Sequence, residues 1–402
     1  MQIMINRDED FAVLDGFRDT RIIKVVTGIR RCGKSTLLEM YRQRLVQEGV
    51  PESCTISLNF EDLGFSHLNT FQKAYDYIVE RLVPDSMNYI FLDEVQLLSQ
   101  FQRMVDSLFI KANCDIYLTG SNAYLLSGEL ATLLSGRYVE IHLLPLSFAQ
   151  YCSAFPGENN YSRLYRNYLE FSSFPYTLEL KNQYKLVQEY LGGIYNTVIL
   201  KDIVARKGIA DVFRLESVIR FLADNVGNLV SIKKIADTMT SDGRKISSHT
   251  VESYLESLCS TYIFYKASRF DIKGKQYLKS GEKYYLCDLG LRFYLLGNKF
   301  IDRGFLLENI VYLELIRRGY KVFVGKVGDK EIDFVAHRQS GTEYFQVCET
   351  MRGQETRVRE LASLQAVSDH NPKYILCMDD EPVIDYDGIK QIYAIDWLLG
   401  KW

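Results

Sequence analysis

The stretch RIIKVVTGIRRCGKSTLLEMYRQRL, residues 21–45, limits the possible folds more than any other part of the sequence. Residues 22–27 form an apolar, largely β-branched run, as expected of a buried parallel strand. Residues 28–35 then fit the pattern G-x-x-x-x-G-K-[ST], and apolar residues recur at helical spacing after them. Strand, glycine-rich loop and helix in this order predict a phosphate-binding loop in an α/β protein with a parallel sheet.

The residue types in this loop suit phosphate chemistry. The glycines let successive backbone N–H groups point at a phosphate, Lys34 reaches the outer phosphates, and Ser35 ligates Mg²⁺. The predicted ligands are therefore ATP or ADP with Mg²⁺. The alternative is a chance match in a basic loop, which the flanking strand and helix disfavour. Arg30 and Arg31 are interpreted as structural or solvent-facing. The predicted loop comprises Gly28, Ile29, Arg30, Arg31, Cys32, Gly33, Lys34, Ser35 and Thr36.

Two later strands end in polar residues suited to the same site. The segment MNYIFLDEVQLL places Asp93 and Glu94 at a strand end, where an acid can hold Mg²⁺ and its neighbour can take a proton from attacking water. The segment CDIYLTGSNAYLLSGEL ends another apolar strand in Thr119, Ser121 and Asn122. A hydroxyl or amide there is predicted to orient water against the γ-phosphate.

The three strands and their motifs resemble the AAA+ ATPases, and the continuation LLSGRYVEIHLLPLSFAQY is similar to a prokaryotic branch of that family. The resemblance implies an ATP-binding domain over residues 1–145, with Asn122 or Ser121 as its first sensor. It also implies an arginine that stabilises transition-state charge, in cis or from a neighbouring subunit, for which Arg137 is the candidate. Alternatively, Arg137 is a surface residue at the start of a strand. Residues 146–210 read as short helices and fit an ATPase lid.

Bulk properties add exclusions. A length of 402 residues predicts two to four domains, at roughly 100–200 residues each. The net charge of −3 does not by itself indicate nucleic acid. Eight scattered cysteines without a CxxC pair indicate free thiols, and no segment resembles a signal peptide or a membrane span. A cytoplasmic protein is therefore expected.

Residues 211–299 predict a winged helix-turn-helix of three helices and a basic hairpin. The hairpin is expected over residues 262–285, with its turn at residues 279–281. A helix over residues 247–258, with His249 and Thr250 at its start, is the candidate for binding duplex DNA, although Glu252 and Glu256 face unfavourably. Alternatively, the module only packs. The hairpin carries two acids and has a local charge of +4, because its six basic residues are Lys266, Arg269, Lys273, Lys275, Lys279 and Lys283.

Residues 300–402 resemble the PD-(D/E)xK nuclease fold. That chemistry needs carboxylates to place Mg²⁺ and a lysine to activate water. Glu308 and Asp333 match, whereas Gln346 and Cys348 stand where an acid and a lysine are wanted. A nuclease-shaped domain without nuclease chemistry is therefore predicted. The active alternative requires another lysine, Lys326 or Lys330, to take the missing role.

Taken together, the sequence predicts an Mg²⁺-dependent ATP hydrolase that acts as a motor or switch, with duplex DNA as its expected partner through the winged helix. Two alternatives stay open: a regulatory ATPase whose C-terminal domain binds protein, and an ATP-regulated metal-dependent nuclease. No membrane contact is expected, and an arginine acting in trans would require a homo-oligomer.

Overall fold

The computed structural model describes residues 5, 7–120, 134, 136–204, 209, 211–297 and 303–402. The chain forms two compact units. The P-loop unit comprises Ile5–Pro145 together with the short segment Ser260–Tyr262. The C-terminal unit comprises Leu146–Cys259 and Ile263–Trp402.

The P-loop unit alternates strands and helices. Its helices are α1 (Asp8–Gly16), α2 (Lys34–Gln47), α3 (Phe71–Val79) and α4 (Phe101–Ile110). Its strands are β1 (Ile23–Thr27), β2 (Thr55–Asn59), β3 (Asn88–Asp93), β4 (Cys114–Gly120) and β5 (Tyr138–His142).

The five strands of this unit form one parallel sheet in the order β2-β3-β4-β1-β5. All five residues of β1 are buried, as the β-branched run at residues 22–27 predicts for a strand covered on both faces. The order places β4 between the strand that precedes the glycine-rich loop and the strand that ends in Asp93. Because parallel strands end at the same edge, the loop after β1 lies near Asp93 and Thr119, which stand at or near the ends of β3 and β4.

The C-terminal unit begins with helices and continues into a large sheet. Its helices are α5 (Phe148–Ser153), α6 (Tyr161–Phe171), α7 (Tyr184–Thr197), α8 (Val212–Asp224), α9 (Ile232–Ser241), α10 (Ser248–Ser260), α11 (Leu289–Leu296), α12 (Arg303–Arg317), α13 (Gln354–Gln365) and α14 (Ala394–Leu398). Its strands are β6 (Phe264–Asp271), β7 (Gln276–Leu286), β8 (Lys321–Val327), β9 (Lys330–Arg338), β10 (Gly341–Val347), β11 (Lys373–Cys377), β12 (Ile384–Tyr386) and β13 (Ile389–Tyr393).

The strands of this unit form one eight-stranded sheet in the order β12-β13-β11-β10-β9-β8-β6-β7. The hairpin β6–β7 joins the later strands because β6 pairs in parallel with β8 through Arg269 and Val324. The expected division between residues 299 and 300 therefore runs through a single sheet. That division, like those at residues 145 and 210, stays a prediction.

The predicted position of the hairpin turn, residues 279–281, is wrong. The strands are joined at residues 272–275, where the carboxylate of Asp271 accepts hydrogen bonds from the N–H groups of Lys273 (3.1 Å) and Gly274 (3.0 Å). Ala267 lies opposite Lys283, whereas Arg269, two residues later, lies opposite Leu278. The turn-like residues 279–281 fall within this shift and form an irregularity in β7. A glycine-containing polar run can give a bulge as well as a turn, and sequence alone does not distinguish them.

No helix in the described ranges is long and apolar enough to cross a membrane.

Candidate nucleotide-binding site

The glycine-rich loop joins the end of β1 to the first turn of α2. Gly28 has φ = +146° and Gly33 has φ = +103°, which are conformations that residues with a side chain rarely adopt. A Cβ atom on Gly28 would lie 2.2 Å from the carbonyl oxygen of Leu143, so this position also lacks space for a side chain. The predicted strand, loop and helix are confirmed as structural elements.

Lys34 begins helix α2 and is almost completely buried. Its ammonium donates hydrogen bonds to the carbonyl oxygens of Gly28 (3.0 Å) and Ile29 (3.1 Å). These contacts hold the positive charge inside the curve of the loop. The helix N-terminus contributes unpaired N–H groups and partial positive charge at the same place. The loop therefore offers the electrostatics that an anionic phosphate requires.

Ser35, Asp93 and Thr119 form a hydrogen-bond network at the sheet edge. The hydroxyl of Ser35 donates to Oδ1 of Asp93 at 3.0 Å. The hydroxyl of Thr119, which is fully buried near the end of β4, donates to the same oxygen. Thr119 also accepts a hydrogen bond from the backbone N–H of Glu94 at 2.9 Å. One threonine thus orients both members of the predicted Asp-Glu pair.

Glu94 follows β3 with a left-handed backbone, φ = +50° and ψ = 42°. A non-glycine residue in this region costs on the order of 1 kcal/mol, and such strain is concentrated at functional sites. The side chain is largely buried, and its carboxylate accepts a hydrogen bond from the side-chain amide of Gln96.

The donor set at this edge fits Mg²⁺. The Ser35 hydroxyl and the Asp93 carboxylate are hard oxygen donors within hydrogen-bond distance of each other. Mg²⁺ commonly takes one or two protein oxygens, completing its shell with water and substrate phosphates. Ser35 and Asp93 are therefore the two residues that would hold the ion.

Arg7 contacts the glycine-rich loop, and this contact was not predicted from the sequence. Its guanidinium donates a hydrogen bond to the carbonyl oxygen of Cys32 at 3.2 Å and forms an ion pair with Asp10 at 3.1 Å. Only 5% of Arg7 is exposed. It precedes the predicted loop by about twenty positions, and nothing in local spacing signals such a contact. Buried Cys32 packs inside the loop, and burial raises the pKa of its thiol.

The other predicted loop residues have ordinary environments. Arg31 is exposed, with φ = +66°, whereas the guanidinium of Arg30 lies 3.8 Å from the carboxylate of Glu61. Ile29 is fully buried, and Thr36 is exposed in the first turn of α2. The proposed sensors, Ser121 and Asn122, lie outside the described residues.

Arg137 lies at the opposite end of the sheet from the loop. Its carbonyl oxygen accepts a hydrogen bond from the N–H of Ile23, the first residue of β1. The loop begins five residues later, about 16 Å along an extended strand. The guanidinium pairs with Asp106 and lies 5.5 Å from the ring centre of Phe109. The structure therefore does not bring Arg137 together with Lys34 and Glu94 in one chain, and only its predicted action in trans stays compatible with the geometry.

The chain is similar to known proteins in sequence and in fold. A profile of the AAA domain matches residues 20–152, and a domain of unknown function, DUF8612, matches residues 162–301. The chain is 41% identical over 401 residues to an uncharacterized protein of Haemophilus influenzae, covering 98% of this chain and 99% of that protein. The chain belongs to the family of that protein. Its residues 20–152 form an AAA domain, and the geometry of the loop is that of a nucleotide-binding P-loop.

Two further proteins resemble this family member. The uncharacterized protein MJ1544 of Methanocaldococcus jannaschii is 29% identical over 404 residues, which cover 94% of this chain and 86% of that protein. The structure of the Walker-type ATPase PabY2304 of Pyrococcus abyssi aligns with a TM-score of 0.51 at 15% identity, covering 73% of this chain and 96% of that one. At this identity the structural similarity shows the fold alone.

The C-terminal unit contains a second cluster of charged residues, centred on the buried Lys283. This lysine, on β7, is 3% exposed, and its ammonium lies 2.9 Å from a carboxylate oxygen of Glu308 on α12. It lies 2.9 Å from Glu331 and 3.6 Å from Asp333, both on β9. Burial lowers the pKa of Lys283, but the neighbouring acidic side chains, Glu308 foremost, outweigh this effect and raise it, so the side chain stays charged. The hydroxyl of Tyr285 also donates to Glu308, at 2.6 Å.

Lys283 occupies the place between acids where the predicted nuclease-like site wanted a lysine or a metal. The lysines predicted for that role were Lys326 and Lys330, but the ammonium of Lys330 donates to the carbonyl oxygen of Ala362 at 3.0 Å. Lys283 was counted as a basic hairpin residue, and its pairing depends on contacts between distant segments. No local pattern reveals it.

The remaining residues of this cluster fit a divalent metal poorly. Oxygens of Glu308 and Asp333 face the ammonium of Lys283, and the other Asp333 oxygen accepts a hydrogen bond from the N–H of Val347 at 2.8 Å. The amide oxygen of Gln346 accepts one from the N–H of Asp333 at 3.3 Å. Burial raises the pKa of the Cys348 thiol, which keeps it protonated. Among the described residues no group of three or more His, Cys, Asp or Glu is arranged to hold a metal ion.

Proposed function

We propose that this chain is an Mg²⁺-dependent ATP hydrolase that acts as a nucleotide-driven switch. The observation that carries the proposal is the hydrogen-bond network in which Thr119 orients Asp93 and Glu94 beside Ser35. A P-loop that only binds nucleotide has no need for a strained, largely buried glutamate next to the metal-binding acid. ATP hydrolysis requires such a residue, because a base must accept a proton from the attacking water.

In the proposed reaction, Lys34 binds the outer phosphates and the loop N–H groups surround them. Ser35 and Asp93 hold Mg²⁺, which would neutralise phosphate charge when bound. Glu94 accepts a proton from the water that attacks the γ-phosphate. Asn122 remains the proposed sensor of that phosphate.

The expected experiment separates binding from hydrolysis. We expect the wild type to bind a fluorescent ADP analogue and to release phosphate from ATP only with Mg²⁺. Lys34→Ala is expected to lose both, whereas Glu94→Gln is expected to bind normally and lose at least about 100-fold in turnover. Equal turnover of Glu94→Gln and wild type would contradict the assignment of the base.

For the partner we propose duplex DNA, bound through a winged helix. Its support is the arrangement of helices α8, α9 and α10 before the hairpin β6–β7, with Val230 bridged to Glu282 of the hairpin. Lys273 and Lys275 are exposed at the hairpin turn, where phosphate contacts are sterically open.

The hairpin is less basic at its surface than its composition indicates. Lys283 is buried in the acidic cluster, and the ammonium of Lys266 lies 3.1 Å from a carboxylate oxygen of Glu282. Glu252 and Glu256 are exposed on α10, as the sequence predicts, and they repel phosphate. DNA attraction is therefore expected to depend mainly on Lys273 and Lys275.

A charge-reversal experiment tests the DNA proposal. We expect Lys273→Glu with Lys275→Glu to weaken binding to a fluorescent duplex by about tenfold or more and to reduce its salt dependence. Lys185→Glu, on an exposed position of α7, is the matched control and is expected to change little. If the hairpin variant binds duplex like the control, the DNA proposal fails and a protein partner of the C-terminal unit takes its place.

A further inference from the structure

The segment Ser260–Tyr262 belongs by its contacts to the P-loop unit, although the chain on both sides belongs to the C-terminal unit. It begins at the last residue of helix α10 and ends shortly before strand β6, and these are the two elements proposed to contact DNA. A three-residue excursion of this kind places one side chain, Tyr262, against the strands that carry the nucleotide-binding loop.

Tyr262 contacts the residue next to the glycine-rich loop through one shared acceptor. Its hydroxyl donates a hydrogen bond to Oε1 of Glu140 at 3.0 Å, and the hydroxyl of Thr27 donates to the same oxygen at 2.6 Å. The ring centre of Tyr262 lies 4.4 Å from that of His142, whose Nδ1 lies 3.2 Å from the Thr27 hydroxyl. Thr27 is fully buried and directly precedes Gly28.

The local geometry shows that Tyr262 is held in place at a conformational cost. Its backbone has φ = +60°, the left-handed region that is unfavourable for an aromatic residue. Its side chain is buried, and burial together with the charge of Glu140 raises the pKa of its phenol, which therefore stays protonated as a donor. The contacts with Glu140 and His142 offset the strained backbone.

The start of the loop has little freedom to move independently of these contacts. The carbonyl oxygen of Thr27 accepts a hydrogen bond from the N–H of Leu143 at 2.8 Å. A Cβ on Gly28 would meet the carbonyl oxygen of Leu143, so the chain directly after β5 lies against the loop. Packed interiors transmit small displacements. We therefore expect any shift of Gly28 on nucleotide binding to displace Thr27 and Glu140 as well.

We propose that Tyr262 is a positioning residue that couples the nucleotide-binding loop to the chain between α10 and β6. The coupling rests on the proposed binding of nucleotide at Lys34 and Ser35, and it does not require hydrolysis. Through Tyr262, nucleotide binding orders the end of α10 and the start of β6. By reciprocity, a ligand on those elements alters nucleotide affinity by the same factor.

The test is hydrogen exchange of the full chain with and without Mg²⁺ and ADP. In the wild type we expect nucleotide to slow exchange in peptides from residues 28–36 and also from residues 255–268. In Tyr262→Phe the first protection is expected to remain and the second to be lost, with ADP affinity lowered by about two- to tenfold. Tyr184→Phe, an exposed tyrosine at the start of α7, is the matched control and should behave as wild type. Glu140→Gln leaves the Tyr262 side chain unchanged but removes the charge that its hydroxyl contacts. This variant is expected to show weaker protection of residues 255–268.

The outcomes separate this proposal from that of hydrolysis. The coupling would be overturned if nucleotide did not protect residues 255–268 in the wild type. It would also be overturned if both Tyr262→Phe and Glu140→Gln kept that protection unchanged. A wild type that binds ADP but never releases phosphate from ATP would overturn hydrolysis while leaving the exchange result decisive. Failure to protect residues 28–36 would overturn both, because no nucleotide would then be bound at the loop.

Discussion

The hydroxyl of Ser35 donates to a carboxylate oxygen of Asp93 at 3.0 Å, across 58 positions of sequence. Ser35 lies in the first turn of α2, and Asp93 is the last residue of β3. The strand between β1 and β3 in the sheet is β4, and its residue Thr119 donates to the same oxygen. The site is thus assembled from three strand ends, and its geometry depends on a side chain that contacts no phosphate in the proposed mechanism.

Thr119→Val tests that dependence. The substitution keeps the shape of the side chain but removes the hydroxyl that orients Asp93 and the backbone of Glu94. We expect kcat for ATP hydrolysis to fall about ten- to a hundredfold, with ADP affinity changed less, because an orienting contact and not a phosphate contact is lost. Thr240→Val, at an exposed position of α9, is the control. Unchanged kcat in Thr119→Val would remove Thr119 from the mechanism.

Gly28→Ala tests the conformation of the loop. The added methyl group would meet the carbonyl oxygen of Leu143 at 2.2 Å, at a φ of +146°. We expect at least about tenfold weaker binding of fluorescent ADP and a lower melting temperature, since the loop must move to relieve the clash. Gly193→Ala, inside helix α7 with nothing within 4 Å of the added Cβ, is expected to be neutral or slightly stabilising. Wild-type affinity in Gly28→Ala would contradict the observed loop geometry.

Asp333 predicts a dependence of stability on pH. Burial, together with the neighbouring charge of Glu308, raises its pKa to about 8, although Lys283 opposes this shift. In the unfolded chain an aspartate titrates near about 4. The folded state therefore holds a proton that the unfolded state releases between these values. The stability associated with this group is fully present below the unfolded pKa and is lost as pH rises through the folded pKa.

Asp333→Asn is expected to abolish that part of the pH dependence. The free energy of unfolding is measured with urea at pH 5.5, 7 and 8.5. Relative to the wild type, that of the variant should rise by about 1–3 kcal/mol across this range. The difference between the two proteins removes contributions from groups that titrate alike in both. A constant difference across the range would show that Asp333 is ionised in the folded protein at all three values.

Arg137→Ala distinguishes action in trans from the alternative that Arg137 is a surface residue without a catalytic role. Because Arg137 lies at the end of β5 remote from Lys34 and pairs with Asp106, we expect a monomeric sample to retain turnover within about twofold. A loss that appears only at concentrations where subunits associate, followed by sedimentation, would support its action in trans. A large loss in the monomer would contradict the distance inferred along the strand.

The sequence predicted what depends on local patterns. The strand, loop and helix around Lys34 follow from periodicity and glycine spacing. Ser231 and Ser247 precede helical patterns and cap those helices, accepting hydrogen bonds from the N–H groups three residues later, at 3.2 Å and 3.1 Å. Each of these features is determined by residues within a few positions of one another.

The sequence did not predict contacts between distant segments. Local sequence places Lys283 among the six basic residues of a hairpin, whereas its partners Glu308 and Asp333 come from α12 and β9. Tyr262 has the same character: its contact with Glu140 joins residues 122 positions apart. Such pairs depend on how strands are ordered in a sheet, which the pattern within one strand does not encode.

The most direct measurement is ATP turnover of the wild type and Glu94→Gln, each with Mg²⁺ and with or without duplex DNA. We expect the wild type to turn over, to be stimulated several-fold by DNA, and to lose turnover in both conditions when Glu94 is replaced. Turnover that is lost in the variant but ignores DNA would support ATP hydrolysis and favour a protein partner. A wild type that hydrolyses no ATP in either condition, or a Glu94→Gln variant as active as the wild type, would contradict the proposed mechanism.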